Sequence, residues 1–336
     1  MYDVITFGSA AQDIFIKSKK FLPVLGKNFA TGEGICLSLG SKIEMDDVFF
    51  YSGGGGTNTA ATFAKQGLKV AYCGQVGDDF LGGAIAEELK NLGIGADFVE
   101  KTKEKPTNIS VILTYPGKDR TVMVYRGASD VFWKNNIPWG KIKNTKWFYL
   151  APFSGKLAGA TEDLVNFAVK NKIKVAFNPG YAQLTMPKAT LRRILRQINV
   201  LILNREEASR LTGAAHQGEK QIFQRIDKMA RGIAIMTKGG EGAVVSDGKH
   251  IFRAKSLGLK MVDVTGAGDA FGAGFVTGLI KKNNIEYAIQ LAMANSGYSI
   301  TRWGAKEGLL NKNQEFRKVK VSKEKCSEDG LCQLKP

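Results

Sequence analysis

The stretch Asp263-Val264-Thr265-Gly266-Ala267-Gly268-Asp269-Ala270-Phe271 decides how this chain of 336 residues is interpreted. Small residues at helical spacing follow it, so the pattern indicates a glycine-rich loop that runs into a helix. Glycines let backbone N–H groups come close to an anion, and the helix dipole favours negative charge there. Asp269 could simply cap this helix. Because its carboxylate would stand beside bound phosphate, the pattern favours a general base next to a phosphoryl group in transfer.

A second glycine-rich region lies far from the first. Gly53-Gly54-Gly55-Gly56-Thr57-Asn58 is followed by Gly74-Gln75-Val76-Gly77-Asp78-Asp79. Together with the 263–271 stretch, it resembles the two signatures of the ribokinase-like (PfkB) carbohydrate and nucleoside kinase family. Shorter matches come in the family's order, namely Gly8-Ser9-Ala10-Ala11-Gln12-Asp13, Asn204-Arg205-Glu206-Glu207 and Thr237-Lys238-Gly239-Gly240-Glu241-Gly242. The resemblance covers residues 1–310.

The spacing of apolar residues predicts an α/β fold, because short apolar runs typical of buried strands alternate with segments of helical spacing. The predicted strands are 4–7, 70–73, 147–150, 175–178, 200–204, 233–237 and 243–246. The predicted helices lie near 57–66, 79–92, 161–171, 188–197, 217–231, 269–282 and 285–301. The resemblance implies a ribokinase-like three-layer α/β/α core with a mostly parallel sheet and a small β-sheet lid.

The expected division of the chain has three parts. The kinase core comprises 1–13, 53–108 and 127–310, the β lid over the substrate site comprises 14–52 and 109–126, and 311–336 is a basic polar tail. Residues 109–115 and 121–126 are predicted to form a hairpin around the turn Pro116-Gly117-Lys118-Asp119. The aromatic residues of the lid could stack on a base or form the lid's own core; they are Phe15, Phe21, Phe29, Phe49, Phe50 and Tyr51.

Composition narrows the classes of protein. The formal net charge is +17, and the densest basic run is Arg317-Lys318-Val319-Lys320-Val321-Ser322-Lys323-Glu324-Lys325. A solvated basic surface is the default interpretation, whereas nucleic-acid binding is disfavoured because lysines are scattered along the whole chain. The sequence has neither an apolar run long enough for a membrane span nor a signal-peptide pattern at its start, so we expect a cytoplasmic protein without membrane partners. Cys326 and Cys332 could pair on oxidation, but reduced thiols are expected.

The resemblance implies a role for each matched residue on the acceptor side. Asp13 would clamp two sugar hydroxyls, although it could also be a turn residue. The glycine run would let substrate approach the backbone, and Asn58 would hydrogen bond to a hydroxyl. Arg126 could reach substrate or remain an exposed strand-end residue. The predicted substrate-binding residues are Asp13, Gly53, Gly54, Gly55, Asn58 and Arg126.

The predicted catalytic residues are Asp269 and an anion hole formed by the backbone of Gly266, Ala267 and Gly268. Asn204 and Glu207 fit a helix capping box, and the resemblance also implies contacts to phosphate and to Mg²⁺-bound water. Asn295 would contact adenine or serve as a surface or capping residue. The predicted nucleotide-binding residues are Asn204, Glu207, Thr237, Gly239, Gly242 and Asn295. Asp263 would be a turn residue or support a monovalent cation such as K⁺.

These expectations combine into an ATP-dependent kinase that phosphorylates the hydroxymethyl group of a pentose or hexose. A nucleoside kinase of the same family is the nearest alternative, and a catalytically silent sugar-binding regulator is an alternative of another class. Relatives dimerise through lid strands, which implies a homodimer. No P-loop motif occurs, and no G-x-G-x-x-G follows the first strand, so P-loop kinases and Rossmann dehydrogenases are excluded. The long 14–52 segment and Gly55 depart from the family pattern on the substrate side.

Overall fold

The fold is that of a computed structural model in which residues 1–27, 29, 32–115 and 120–326 are described. The strands are β1 (Tyr2–Phe7), β2 (Ala11–Lys17), β3 (Leu22–Leu25), β4 (Glu33–Cys36), β5 (Asp47–Gly53), β6 (Val70–Gly77), β7 (Gly95–Thr102), β8 (Asn108–Thr114), β9 (Thr121–Tyr125), β10 (Thr145–Leu150), β11 (Lys174–Phe177), β12 (Val200–Asn204), β13 (Ile233–Thr237), β14 (Ala243–Ser246), β15 (His250–Ala254) and β16 (Val321–Lys325). The helices are α1 (Gly55–Lys65), α2 (Phe80–Asn91), α3 (Trp139–Ile142), α4 (Gly155–Gly159), α5 (Thr161–Lys170), α6 (Tyr181–Leu184), α7 (Lys188–Leu195), α8 (Arg205–Thr212), α9 (Glu219–Met229), α10 (Ala267–Lys282) and α11 (Ile285–Ser299). Short 3₁₀ helices span Gly127–Asp130, Lys134–Asn136 and Gly239–Glu241.

The central sheet has the strand order β16-β15-β14-β13-β12-β11-β10-β1-β6-β7. Seven neighbouring strands run parallel, namely β13, β12, β11, β10, β1, β6 and β7. Strands β14, β15 and β16 continue the sheet, each antiparallel to the strand before it. Successive side chains of a strand point to opposite faces, so Phe148 and Leu150 belong to one apolar cluster while Trp147 and Tyr149 belong to the other. Burial on both faces explains why the parallel strands are continuously apolar.

Helices cover both faces of this sheet. Apolar side chains of α1, α2, α10 and α11 pack on one face, and those of α4 to α9 pack on the other. The predicted three-layer α/β/α architecture is therefore confirmed. Parallel strands end at the same edge of a sheet, so the loops after β1, β6 and β12 and the loop before α10 can share one crevice at that edge.

A four-stranded sheet of order β5-β2-β8-β9 lies beside the core. Its strands fall largely in the predicted lid segments and include both arms of the predicted hairpin, while the predicted turn 116–119 lies outside the described residues. The ring of Trp303 packs at 5.6 Å from Phe15 and stacks at 5.7 Å on Phe49. These contacts support the interpretation that the lid aromatics form a packing core rather than a stacking platform for a base.

The expectation of a polar tail from residue 311 onward is wrong in one part. Residues Val321–Lys325 form β16, which pairs antiparallel with β15 and extends the central sheet by one strand. The sequence gives little strand signal here because this edge strand is mostly exposed and charged. Edge strands that avoid pairing with another chain commonly have this composition. Cys326 is disulfide-bonded, contrary to the expectation of a reduced thiol, and Cys332 lies outside the described residues.

Candidate active site

Asp269 stands in the first turn of α10, behind the predicted anion loop. Gly266 precedes the helix with a φ of +74°, and a Cβ atom placed there would lie 2.4 Å from Cβ of Ala305. Only glycine fits this position, because the backbone is left-handed and the 301–310 segment packs directly against it. The loop therefore enters the helix by a turn that requires glycine at position 266.

The N–H groups of this turn differ in availability. Ala267 donates to the carbonyl oxygen of Val264 at 3.2 Å, so its N–H is used inside the turn. Within the described parts of the chain, the N–H groups of Gly268 and Asp269 have no hydrogen-bond acceptor. Open N–H groups at a helix N-terminus bind anions. The open N–H groups thus lie about one residue further along than the predicted 266–268 loop.

The Asp269 carboxylate faces α1. Asn58 Nδ2 donates to Asp269 Oδ2 at 2.9 Å, and a Cβ on Gly55 would lie 3.4 Å from Asp269 Oδ1. Burial raises the pKa of Asp269, while the hydrogen bond from Asn58 and the charge of Lys306 act in the opposite direction. A desolvated carboxylate with one amide donor has the environment of a base with increased proton affinity.

Asp13 occupies the middle of β2 rather than a turn after β1. It lies opposite Tyr51 of β5 and Ser110 of β8, and the Ser110 hydroxyl hydrogen bonds to its carboxylate. A Cβ on Gly53 would lie 2.0 Å from Asp13 Oδ2, so glycine is required for this close approach. Burial raises the pKa of Asp13 to about 6, and the charges of Asp263 and Asp269 add to that effect.

Asn58 is the next of the predicted substrate-binding residues. Its backbone N–H donates to the carbonyl oxygen of Gly54 at 2.9 Å, which fixes the start of α1. Its side chain is 4% exposed, and its Oδ1 atom is buried without a hydrogen-bond partner. A buried amide oxygen without a partner is costly, so this atom is suited to accept a hydroxyl from a ligand. Arg126 is exposed at the end of β9, and the described contacts do not join it to Asn58, Asp13 or Asp269.

A pocket of about 430 Å³ adjoins the loop before α10. The predicted residues Thr237, Gly239 and Gly242 line it, and Ala267 and Gly268 form the wall next to the open N–H groups. Apolar side chains supply much of the remaining wall; they are Leu257, Leu259, Met261, Phe271, Met293 and Ile300. The faces of a flat ring system fit such a wall.

Asn204 and Glu207 form a reciprocal cap at the start of α8. Asn204 Oδ1 accepts the N–H of Glu207 at 2.8 Å, and Glu207 Oε2 accepts the N–H of Asn204 at 2.8 Å. Of the two interpretations of this pair, the capping box is thereby confirmed. Burial raises the pKa of Glu207 to about 7, and Asp269 is among the charges that contribute. Glu207 therefore lies close enough to Asp269 for their charges to interact.

Asn295 does not line this pocket, which corrects the prediction of an adenine contact. Its amide is fully buried; Nδ2 donates to Ala270 O at 2.8 Å, and Oδ1 accepts the N–H of Leu310 at 2.9 Å. With both ends of the amide engaged, Asn295 ties α11 to α10 and to the segment after it. The neighbouring Ser296 and Gly297 line the pocket instead.

Asp263 acts as the anchor of the loop before α10. Its Oδ1 accepts the N–H and the hydroxyl of Thr265 at 3.0 and 2.7 Å, and its Oδ2 accepts the N–H of Gly304 at 3.1 Å. These contacts fit the turn interpretation. They also hold Gly304 against the loop before α10.

Sequence reasoning missed Lys306, a cation inside the acceptor side. Lys306 is 5% exposed; its ammonium group donates to the Ser52 hydroxyl and to Glu88 Oε1 at 3.4 Å. Its charge favours the ionised forms of both Asp13 and Asp269. No local pattern marks this residue, because its partners come from segments more than two hundred residues away.

Two further buried polar atoms lack partners near the site. Gln75 Oε1 lies beside a small cavity lined by Gly8, Ser9 and Ser129. The Tyr149 hydroxyl lies against Gly272 of α10, and both Asp269 and Glu207 affect its pKa, which burial raises. Neither residue was singled out from the sequence, because an apolar strand gives no signal for one polar group that faces a crevice.

A family model described as "pfkB family carbohydrate kinase" matches residues 19–312. The chain belongs to this family. It is therefore a kinase of the sugar and nucleoside class, and the predicted enzyme class, an ATP-dependent carbohydrate kinase, is confirmed. Among the described residues of this pfkB family kinase, no helix is both long and apolar enough to cross a membrane.

Three similar proteins have names that indicate different phosphate acceptors. The chain is 26% identical to an ATP-dependent 6-phosphofructokinase of Thermoanaerobacterium thermosaccharolyticum over 90% of this chain and 89% of that protein. It is 28% identical to an adenosine kinase of Saccharomyces cerevisiae over 78% and 81%. The structure of Arabidopsis thaliana ribokinase complexed with ribose and ATP superimposes with a TM-score of 0.76 at 22% identity, covering 92% and 96%. The last likeness shows the ribokinase fold.

Proposed function

We propose that this pfkB family kinase transfers the γ-phosphate of ATP to the hydroxymethyl group of a pentose or hexose. One observation carries the proposal: Asp269 lies at the open N–H groups of α10 and also accepts a hydrogen bond from Asn58 at 2.9 Å. The nucleotide side and the acceptor side therefore share one carboxylate. A shared carboxylate is the arrangement that in-line transfer from a phosphate to a hydroxyl requires.

Asp13 would accept two sugar hydroxyls, and Asn58 Oδ1 would accept a third, which orients the hydroxymethyl oxygen toward Asp269. Asp269 would take the proton from that oxygen as it attacks the γ-phosphorus, and the bond from that phosphorus to the β,γ-bridging oxygen would break to release ADP. The N–H groups of Gly268 and Asp269 would receive the negative charge that develops on the transferred group. Because Asp13 is buried and Asp269 is half-buried, their hydrogen bonds are screened less by water than hydrogen bonds at the surface.

ATP and Mg²⁺ fit the residues present. The pocket of about 430 Å³ beside α10, here called the nucleotide pocket, would take the adenine base, and the open N–H groups would receive the phosphates. Mg²⁺, held chiefly by those phosphates, would neutralise their charge, and Glu207 would reach it through water. For K⁺, the candidate position is the junction of Asp263 with the 302–304 segment. Comparing rates in KCl and NaCl tests this assignment.

The four-stranded sheet would serve as a lid that excludes water from the transfer. Its outer strand β9 is exposed along its whole length, and Val122, Met123, Val124 and Tyr125 are 44%, 51%, 56% and 45% exposed. A strand of this composition favours contact with a second copy of the chain. We therefore include a homodimer through the lid in the proposal, with sedimentation of wild type and Met123→Glu as its test.

A nucleoside kinase is the second candidate, and the 28% identity to an adenosine kinase favours it. The aromatic side chains nearest Asp13 already pack on one another and on Trp303, which favours the sugar. The test is acceptor-dependent release of ADP from MgATP with pentoses, hexoses, sugar phosphates and nucleosides. We expect a pentose or hexose to give the highest kcat/KM. A higher value for a nucleoside selects the second candidate, and no acceptor above the water blank overturns both.

A further inference from the structure

A basic groove of about 550 Å³ lies next to the nucleotide pocket. Its floor is formed by β14 and β15, and its walls are the turn after β13, the loop after β15 and the segment that leads into β16. We define the basic groove by the cations that line it, Lys238, Arg253, Lys255, Arg317, Lys318 and Lys320. It exists because β16 folds back onto the sheet edge and brings the densest basic run of the sequence against β15.

Most of this charge is not neutralised. Lys238 pairs with Glu219 at 2.9 Å, and Arg253 pairs with Glu324 at 3.1 Å. The other four cations are exposed and form no ion pair with any residue in the described ranges of the chain; they are Lys255, Arg317, Lys318 and Lys320. Like charges held together in a concave surface repel one another and raise the local potential, so an anion with several charges would relieve that repulsion.

The lining indicates the chemistry of that anion. Its apolar members are small or aliphatic, namely Ala243, Ala254, Leu257 and Val319, and no aromatic ring from the described residues lines the groove. Single-stranded nucleic acid is held by stacking of bases on aromatic rings, which this groove does not offer. The one acidic residue that lines it, Glu241, pairs with Arg205 at 2.8 Å, so the groove is also unsuited to a metal cation.

We propose that the basic groove binds an oligophosphate, an anion of several linked phosphate groups. Arg317 and Lys320 would supply charge-assisted hydrogen bonds from one wall, and Lys255 would supply them from the other. Ser256 and Leu257 line both the groove and the nucleotide pocket, and the Ser256 hydroxyl donates to Gly240 O at 2.6 Å. An occupant of the groove would thus contact the loop that forms one wall of the nucleotide pocket.

Calorimetric titration with sodium tripolyphosphate tests the proposal in the full-length chain saturated with ADP, which occupies the nucleotide pocket. The groove variant is Arg317→Gln/Lys320→Gln. The matched control is Lys141→Gln/Lys170→Gln, which removes two exposed lysines from the opposite helical layer without touching an ion pair. We expect wild type and control to bind alike and the groove variant to bind at least about tenfold more weakly.

Equal binding by the groove variant and wild type would overturn the proposal and place the anion elsewhere, as at the N–H groups of α10. Equal weakening in both variants would overturn it too, because only net charge would then matter. Thermal unfolding of both variants checks that they fold. ATP titration identifies the source of the phosphates: two sites per wild-type chain and one per groove variant indicate a second nucleotide, whereas one site in both indicates an inorganic oligophosphate.

Discussion

The proposed nucleotide side of this kinase consists mainly of backbone groups, whereas the proposed acceptor side consists of side chains. On the proposed nucleotide side, one continuous stretch supplies the loop, the open N–H groups and the start of α10, and backbone atoms would do most of the binding. On the acceptor side, Asp13, Asn58, Ser110 and Lys306 come from four distant segments, and the binding groups are side chains. Backbone N–H groups at a helix N-terminus can bind any phosphate group, whereas selection of one acceptor requires side chains that match its hydroxyls.

The two sides also differ in their electrostatics. Asp13 is buried, Asp269 is half-buried, their negative charges repel each other, and the buried Lys306 partly offsets both. The nucleotide pocket instead presents glycines and apolar side chains. Changes to single side chains should therefore affect acceptor binding and proton transfer more than they affect nucleotide binding.

The largest effect is expected at the point where the two sides meet. Asp269→Asn keeps the shape of the side chain but removes its ability to take a proton. We expect kcat to fall by about 10²–10⁴-fold, while the Kd values for ATP and acceptor stay within about threefold. Steady-state kinetics and calorimetry measure these changes, with the exposed Asp163→Asn as control. Retention of full activity would remove Asp269 as the base.

Next in size is the acceptor side alone. Asp13→Ala removes the carboxylate that would accept two hydroxyls, and kcat/KM for the acceptor should fall by about 10²–10³-fold, mainly through KM. The KM for ATP should not change. Asp47→Ala, at an exposed position at the start of β5, provides the control. An unchanged acceptor KM in Asp13→Ala would place the sugar elsewhere.

On the nucleotide side, we expect backbone shape to matter more than side chains. Gly266→Ala would place a Cβ 2.4 Å from Ala305 at a φ of +74°, so the start of α10 must shift. We expect kcat/KM for ATP to fall by about 10–100-fold, with a lower Tm. In Gly268→Ala, the new Cβ meets no atom of the described chain within 4 Å, so its Tm should match wild type. Equal Tm values for both variants would contradict the close packing at Gly266.

The smallest effect concerns pH. Lys306 favours the ionised forms of Asp13 and Asp269, so Lys306→Met should raise the pKa of each further. A protonated base is inactive. As the pH is lowered, Lys306→Met should therefore lose activity at a higher pH than wild type does, and Lys306→Arg should restore the wild-type profile. The profile of kcat/KM between pH 5 and 8.5 measures this. A loss of rate that is the same at every pH would show that Lys306 is only structural.

The same contrast explains what the sequence can predict. The 263–271 stretch and the 53–58 stretch are each continuous in the sequence, so they indicate the fold, the position of Asp269 and the glycine turns. The strands predicted at 200–204, 233–237 and 243–246 are confirmed with these bounds. Strand β16 and the side chains of Lys306 and Gln75 depend on contacts between distant segments, which periodicity does not report. Asn295 misled because a polar residue near a pocket wall can equally serve as a buried tie between helices.

The most direct test is phosphorus NMR of the product formed from MgATP and the acceptor with the highest kcat/KM. Because Asp269 and Asn58 face a hydroxymethyl oxygen in the proposed arrangement, wild type should give a phosphate monoester on a primary carbon, and Asp269→Asn should give none in the same time. A monoester on a secondary hydroxyl would contradict the placement of the acceptor. Inorganic phosphate as the only product would contradict the transfer itself.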